Sequence, residues 1–360
     1  MRALVLWADD RSANLGVRAL AAGTERLLQA AAPGIDVTFH NFGRPIPQLP
    51  VGRFTSLARE RLTGRNGMQR WLGGFDVIVD TRAGDSFADL YGLRRLTMMS
   101  AIAECAAQAG TPVILGPQTI GPFTTRRGRL LARHSLRRAR LVMARDSASA
   151  AYAAQLGHPV DILATDVVFA LPQPVVERSR DVILNVSGLL WNGNPHVDSS
   201  GYRRTIADLV ARLRADGREI SLLAHVIDSP SPDNDVPAIR EFASRHLPDA
   251  EIIIPTDLAD VREVVATGQV VVASRMHACL NALSVGTPAV PLAYSRKFGP
   301  LLGDLGWNET VELTRAGDDA ARTVVERMSG TDLAERADRV RTSAATLLAP
   351  ATTALAASLS

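Results

Sequence analysis

The residues best suited to chemistry lie in one segment, Val270–Pro288, which reads VVVASRMHACLNALSVGTP. A β-branched run ends at Ala273, Ser274 stands where it could cap the helix that follows, and Gly286 is placed to end that helix. Arg275 and His277 then fall in the first helical turn, where backbone N–H groups without helical partners and the helix dipole favour an anion. A basic residue there is locally unfavourable until an anion arrives. The pattern therefore points to anion binding beside an imidazole able to transfer a proton. The plainer alternative is a histidine packed under the rim of a sheet. Tyr294-Ser295-Arg296-Lys297 follows the next apolar run, Ala289–Leu292, and so belongs to the same rim. Every other basic residue of the chain is arginine. Either one lysine survives by chance in an arginine-rich composition, or position 297 needs a compact ammonium in place of a planar fork. Ala144-Arg145-Asp146-Ser147 repeats the same logic earlier in the chain: strand, arginine at its end, capped helix. For Arg145 the alternative is a surface salt bridge with Asp146 or a neighbour.

Three further loops sit at predicted strand ends. Asp80–Asp89 (DTRAGDSFAD) carries the carboxylates Asp80, Asp85 and Asp89 together with hydroxyls, a set suited to hydrogen-bonding a polyol. Gly116–Phe123 is a stiff turn offering an amide, and Asp9–Gly16 leads into the first helix; either reads equally as turn chemistry. The seven histidines are scattered, without the i, i+4 spacing of a metal site, so no metal is expected. No G-x-S-x-G elbow supports a serine hydrolase. Neither G-x-G-x-x-G nor G-x-x-x-x-G-K-[ST] follows a strand, which argues against nicotinamide dehydrogenases and P-loop NTPases.

The elements that must position these residues alternate along the chain. Apolar runs at Ala3–Trp7, Asp36–His40, Asp76–Asp80, Pro112–Leu115, Leu141–Ala144 and Asp161–Leu163 are separated by helix-period segments such as Gly16–Ala31, Tyr91–Ala109 and Ser147–Leu156. A two-proline stretch follows at 170–174. The pattern restarts with Asp181–Val186, Ile220–Ala224, Glu251–Ile254, Val270–Ala273 and Ala289–Leu292. Such alternation predicts parallel sheets with helices on both faces, here two doubly wound Rossmann-like α/β domains facing a cleft. The expected division is 1–170, a linker at 171–180, a second domain at 181–317 and a helical tail at 318–360.

With 360 residues, 46% hydrophobic and 21% charged, the chain is long enough for two cores. A net charge of +3 without a concentrated basic face excludes a nucleic-acid role. Two distant cysteines, Cys105 and Cys279, suit a reducing compartment. The N-terminal apolar stretch is cut short by Asp9-Asp10, so it reads as a strand and not as a signal peptide. No apolar run of membrane-spanning length stands out. A cytoplasmic protein is expected, with peripheral membrane association left open.

At these segments the sequence resembles the polysaccharide pyruvyl transferase family. The resemblance rests on Asn14-Leu15-Gly16 with Ala19-Leu20, Asp76–Asp89, Pro112–Phe123, Ala144–Ser147, Thr165-Asp166, Ser274–Ala278 and Gly286–Lys297, in order, over most of residues 1–306. It implies a GT-B-like fold and transfer of the pyruvyl unit of phosphoenolpyruvate onto a sugar, glycolipid or oligosaccharide to give a cyclic ketal. No cofactor beyond that donor substrate is implied. Position by position, His277 would be the general acid, and Arg145, Arg275 and Lys297 would bind the donor. Tyr294 shares their motif, and Asp85 and Asp89 would face the acceptor. The chain departs from the family at Val17, where Asp is frequent, and at Arg82-Ala83-Gly84-Asp85, where the family turn is richer in glycine. Two alternatives remain: a nucleotide-sugar glycosyltransferase of the same fold, and a non-catalytic glycan-assembly protein. Against the former, Asn281 stands where an E-A-L-x-x-G-x-P stretch would keep a ribose-binding glutamate.

Overall fold

The computed structural model describes residues 1–41, 54–64, 67–227 and 229–359. The chain forms two compact units, one of residues 1–10, 20–170 and 346–360, the other of residues 11–19 and 171–345.

The first unit holds a six-stranded parallel sheet of β1 (Arg2–Leu6), β2 (Asp36–His40), β3 (Val77–Asp80), β4 (Val113–Gln118), β5 (Leu141–Ala144) and β6 (Ile162–Leu163), in the order β2-β1-β3-β4-β5-β6. Its strands are apolar on both faces, as a sheet covered on both sides requires. Ala3 and Val5 pack with Leu20, Leu27 and Leu28 on one face, while Leu4 and Leu6 pack with Met99 and Ile102 on the other. The second unit repeats the plan with β7 (Arg180–Asn185), β8 (Ile220–Leu223), β9 (Ile252–Ile253), β10 (Gly268–Ala273), β11 (Ala289–Ala293) and β12 (Val311–Glu312), in the order β12-β11-β10-β7-β8-β9. All its pairings are parallel. β12 has no counterpart among the expected strands, because two residues are too short for a period to register.

Three boundaries differ from expectation. Residues 11–19 belong to the second unit: Asn14 bridges Val226, and the Ile227 N–H donates to the Ala13 carbonyl. Residues 171–180 are no free linker. Pro172 accepts from Arg262, and the Ser179 N–H donates to Thr267. The terminal helices do not stand apart either, since the chain up to 345 lies in the second unit and 346–360 in the first.

The last helix, Leu333–Leu359, is long and apolar enough to cross a membrane by length and composition. A scan for apolar runs passes over it because alanine, threonine and serine dilute its leucines. Its residues Ala337, Val340, Ala344, Leu348, Ala351 and Leu355 are buried at three- and four-residue spacing, the stripe of a helix packed against protein.

Candidate functional site

In the second unit the site grows from the carboxyl ends of four adjacent strands, β11, β10, β7 and β8. β10 is a β-branched run whose end delivers Ser274, Arg275 and the helix Met276–Ser284. That helix opens without a side-chain cap. Ser274, expected as the cap, is completely buried and shares a 2.8 Å hydrogen bond with the Tyr202 hydroxyl. Arg275 holds the cap position itself, its own N–H donating to Asn185 Oδ1. His277 lies half-buried in this first turn, whose Ala278 N–H returns to the Arg275 carbonyl at 3.0 Å.

Arg275 lies one residue before the helix, and its guanidinium turns inward. Nε and Nη2 donate to Asp235 Oδ1 at 3.1 and 2.7 Å, and Nη1 donates to Asp233 Oδ1 at 2.7 Å. Burial works against its charge, but the two carboxylates outweigh that and raise its pKa. Asp235 is wholly buried and also accepts from the N–H groups of Gly188, His225 and Val226 and from Asn185 Nδ2. Arg275 is thus the brace that ties the end of β10 to the loops after β7 and β8.

Gly16 meets the His277 ring. A Cβ on Gly16 would lie 2.8 Å from His277 Nδ1 and 2.9 Å from Cγ. The first helix, Leu15–Ala31, starts there, with Asn14 Oδ1 accepting from the Gly16 N–H at 2.9 Å and the Leu15 N–H donating to the His225 carbonyl. Two helix starts therefore converge on one imidazole.

His225 was missed by sequence reasoning. It follows β8 directly, so the rule that ligands bind beyond strand ends would have found it. Its ring is buried, and Nε2 lies 3.2 Å from Asn281 Nδ2. Burial, and then the neighbouring His277, push its pKa down to about 3. Ser187, just beyond β7, has a buried hydroxyl that meets no hydrogen-bond partner among the described residues.

β11 lies beside β10 in parallel register, which puts Tyr294 and Lys297 on the rim that carries His277. Lys297 Nζ stands 5.9 Å from the centre of the Tyr294 ring. Tyr294 packs in turn against His196 and Phe298.

In the first unit Arg145 follows β5 and is 1% exposed. Nη1 pairs with Asp166 at 2.9 Å, Nε donates to Thr119 Oγ1 at 3.0 Å, and Nη2 meets no partner among the described residues. The surface salt bridge with Asp146 does not form; Asp146 caps the helix Ser147–Gln155 instead. Gln118, at the end of β4, is fully buried with both amide atoms unpaired among the described residues.

The three carboxylates after β3 have different fates. Asp80 and Arg82 form an ion pair of 2.8 Å with both side chains completely buried, and the guanidinium also bonds Ser100 and Ser135. Arg82, Ala83 and Gly84 are all left-handed, so this turn doubles back tightly even with two non-glycine residues. Asp89 accepts from the N–H and hydroxyl of both Thr124 and Thr125 and so anchors the start of the helix Arg126–Arg138. Burial opposes its charge, but those four bonds prevail and hold its pKa below the ordinary carboxylate range. Asp85 stays half-buried, accepting from the Tyr91 hydroxyl at 2.9 Å. At the amino ends of β7, β8 and β9 lies a cavity of about 500 Å³, where Arg180 pairs with Glu251 and Arg218 with Asp181.

Solved structures share this architecture. The S. aureus MnaA–UDP co-structure aligns at a TM-score of 0.61 and 13% identity, over 94% of this chain and 91% of that one. The UDP-GlcNAc 2-epimerase of Neisseria meningitidis, bound to UDP-GlcNAc, gives 0.57 and 12%, over 96% and 94%. That of Methanocaldococcus jannaschii gives 0.55 and 12%, over 95% and 99%. At such identities the likeness is one of fold, the GT-B-like pairing of two doubly wound units. The family is carried by the sequence itself, which matches polysaccharide pyruvyl transferase over residues 14–296, from Asn14 at the start of the first helix to the β11 loop. The chain belongs to the polysaccharide pyruvyl transferase family.

Proposed function

We propose that the protein transfers the pyruvyl group of phosphoenolpyruvate onto paired hydroxyls of a glycan or glycolipid, acting in the cytoplasm, with His277 as general acid. Phosphoenolpyruvate carries a carboxylate and a phosphate a few bonds apart. A rim of helix starts with an ammonium nearby suits such an anion. His277 would protonate the methylene carbon, making the central carbon electrophilic. One sugar hydroxyl adds there, phosphate leaves through an oxocarbenium-like state, and a second hydroxyl closes the ketal. The two hydroxyl protons balance the proton consumed and the charge on the released phosphate. Lys297 would stabilise the departing phosphate. Arg275 supports the site as the brace of this rim, and Tyr294 orients Lys297. In the first unit Arg145 is the candidate cation, and Asp85 keeps more solvent access than Asp80 or Asp89.

The observation that carries this function is the seat of His277: an imidazole in an uncapped first turn, pressed on a second helix start where only glycine fits. Against a nucleotide-sugar donor, Asn281 is buried and engaged with protein groups. Incubation with labelled phosphoenolpyruvate and a panel of lipid-linked or nitrophenyl sugars tests the function. Label should pass to an acceptor with release of phosphate, and His277→Ala should abolish the transfer while leaving the fold intact. Stabilisation by a nucleotide sugar but not by phosphoenolpyruvate would favour a glycosyltransferase, and full activity of His277→Ala would remove the assigned acid.

A further inference from the structure

Arg262 is a buried charge with no carboxylate partner among the described residues. It is 4% exposed, and its guanidinium donates to Asn281 Oδ1 at 3.1 Å, Ser284 Oγ at 2.7 Å and the Pro172 carbonyl at 3.0 Å. Burial pulls its pKa down to about 10, which leaves it protonated at neutral pH. An arginine only donates, so the Asn281 atom facing it must be the carbonyl oxygen. The amide is thereby oriented, and its NH₂ faces His225 Nε2 at 3.2 Å. An NH₂ group only donates, so Nε2 must accept and the ring proton must sit on Nδ1. Ser284 lies beside this arrangement, accepting from Arg262 and donating to the backbone carbonyl of Asn281 at 2.8 Å. The chain of bonds ends beside the acid: the His225 carbonyl holds the Leu15 N–H, and the next residue, Gly16, is in contact with His277.

We propose that His225 is an anion-binding residue of the site, a neutral imidazole fixed by the Arg262–Asn281 pair as an Nδ1–H hydrogen-bond donor to the bound anion. This role rests on the pyruvyl-transfer function proposed above. A neutral donor suits the position, because it can hold a carboxylate or phosphate oxygen without competing with His277 for a proton. The depressed proton affinity of the ring keeps it in that state throughout the physiological range. It also explains why asparagine serves at 281. A carboxylate there would accept from Nε2–H and turn the donor edge of His225 away.

Histidine-labelled ¹⁵N protein gives the tautomer directly from the two ring-nitrogen shifts, with the His225 signals assigned by their loss in His225→Asn. The expected spectrum shows Nδ1–H and no titration between pH 5.5 and 8.5. An Nε2–H ring, or one that titrates in that range, overturns the inference. Asn281→Asp supplies the second test. It places a carboxylate beside buried Arg262, so the fold should survive, while the His225 ring should switch to Nε2–H. kcat/KM for phosphoenolpyruvate should then fall about 100-fold, in the range of one lost donor, through a raised KM as well as a lowered turnover, since a contact to the bound anion is gone. The substitutions at 225 discriminate further. Asparagine can set its NH₂ near the Nδ1 position and should keep activity within about 10-fold of wild type, whereas glutamine sets its amide near Nε2 and should fall as far as Asn281→Asp. An Asn281→Asp enzyme with flipped ring and full turnover, or equal activity of the two amides at 225, defeats the inference. Wild-type protein that transfers nothing from phosphoenolpyruvate would instead defeat the proposed function, a separate result.

Discussion

Gly16 carries the tightest steric condition at the site, because the smallest side chain would already overlap the His277 ring. Alanine is otherwise about 1 kcal/mol better than glycine inside a helix. That gain is outweighed here, because the new Cβ would also lie 2.9 Å from His277 Cβ, which no rotation of the ring relieves, so Gly16→Ala should give a large loss of turnover together with a lowered unfolding midpoint. Equal kinetics would mean that His277 can move without consequence. Lys297 poses a different condition. It is half-buried beside the Tyr294 ring, at the start of the helix Phe298–Asp304. A guanidinium keeps the charge but not the compact three-donor head. Lys297→Arg is expected to lower kcat roughly 10- to 100-fold, and steady-state kinetics with an active acceptor would decide it.

Among elements, the rim of the second sheet is held by charge pairing buried beneath it. Asp235 joins the ends of β7, β8 and β10 through Asn185, the His225 and Val226 amides and Arg275. Removing one partner of a buried ion pair strands the other charge, at a cost of about 3–5 kcal/mol. Asp235→Ala should destabilise the protein by that order, read as a lowered denaturant midpoint. Adding Arg275→Met should recover part of the loss, since the buried guanidinium is then gone and the Asp233 carboxylate left behind is 34% exposed to solvent. A double variant as unstable as the single one would show that the hydrogen bonds to backbone, not the ion pair, dominate. This is also why Arg275 is a poor free cation even though its place beside the helix start suggests an anion ligand.

For the whole molecule the buried His225 imidazole predicts a pH dependence. His225 titrates near 6.5 when unfolded but at about 3 in the fold. Between those values the unfolded chain binds a proton that the native one refuses. Stability from this group is complete above pH 6.5 and is lost as the pH falls toward 3, at up to about 1.4 kcal/mol per pH unit. Equilibrium denaturation from pH 7 to 4.5 should show a shallower decline for His225→Asn than for wild type. Parallel slopes would place the acid sensitivity elsewhere.

The alternation of apolar runs and helical segments determined the two parallel sheets, because β-branched runs buried on both faces admit little else. Strand-end position alone also singled out His277, Lys297 and Arg145. Periodicity does not say where a side chain's hydrogen bonds go, so the inward turn of Arg275, the Asp80–Arg82 pair and the engagement of Asp89 by Thr124 and Thr125 had to await the fold. Nor could it assign residues 11–19 to the second unit, since that depends on a bridge between Asn14 and Val226, more than two hundred residues apart. Sequence spacing fixes local geometry; only tertiary packing decides which distant groups a buried charge or ring will meet, and here it set His225 and Gly16 beside His277.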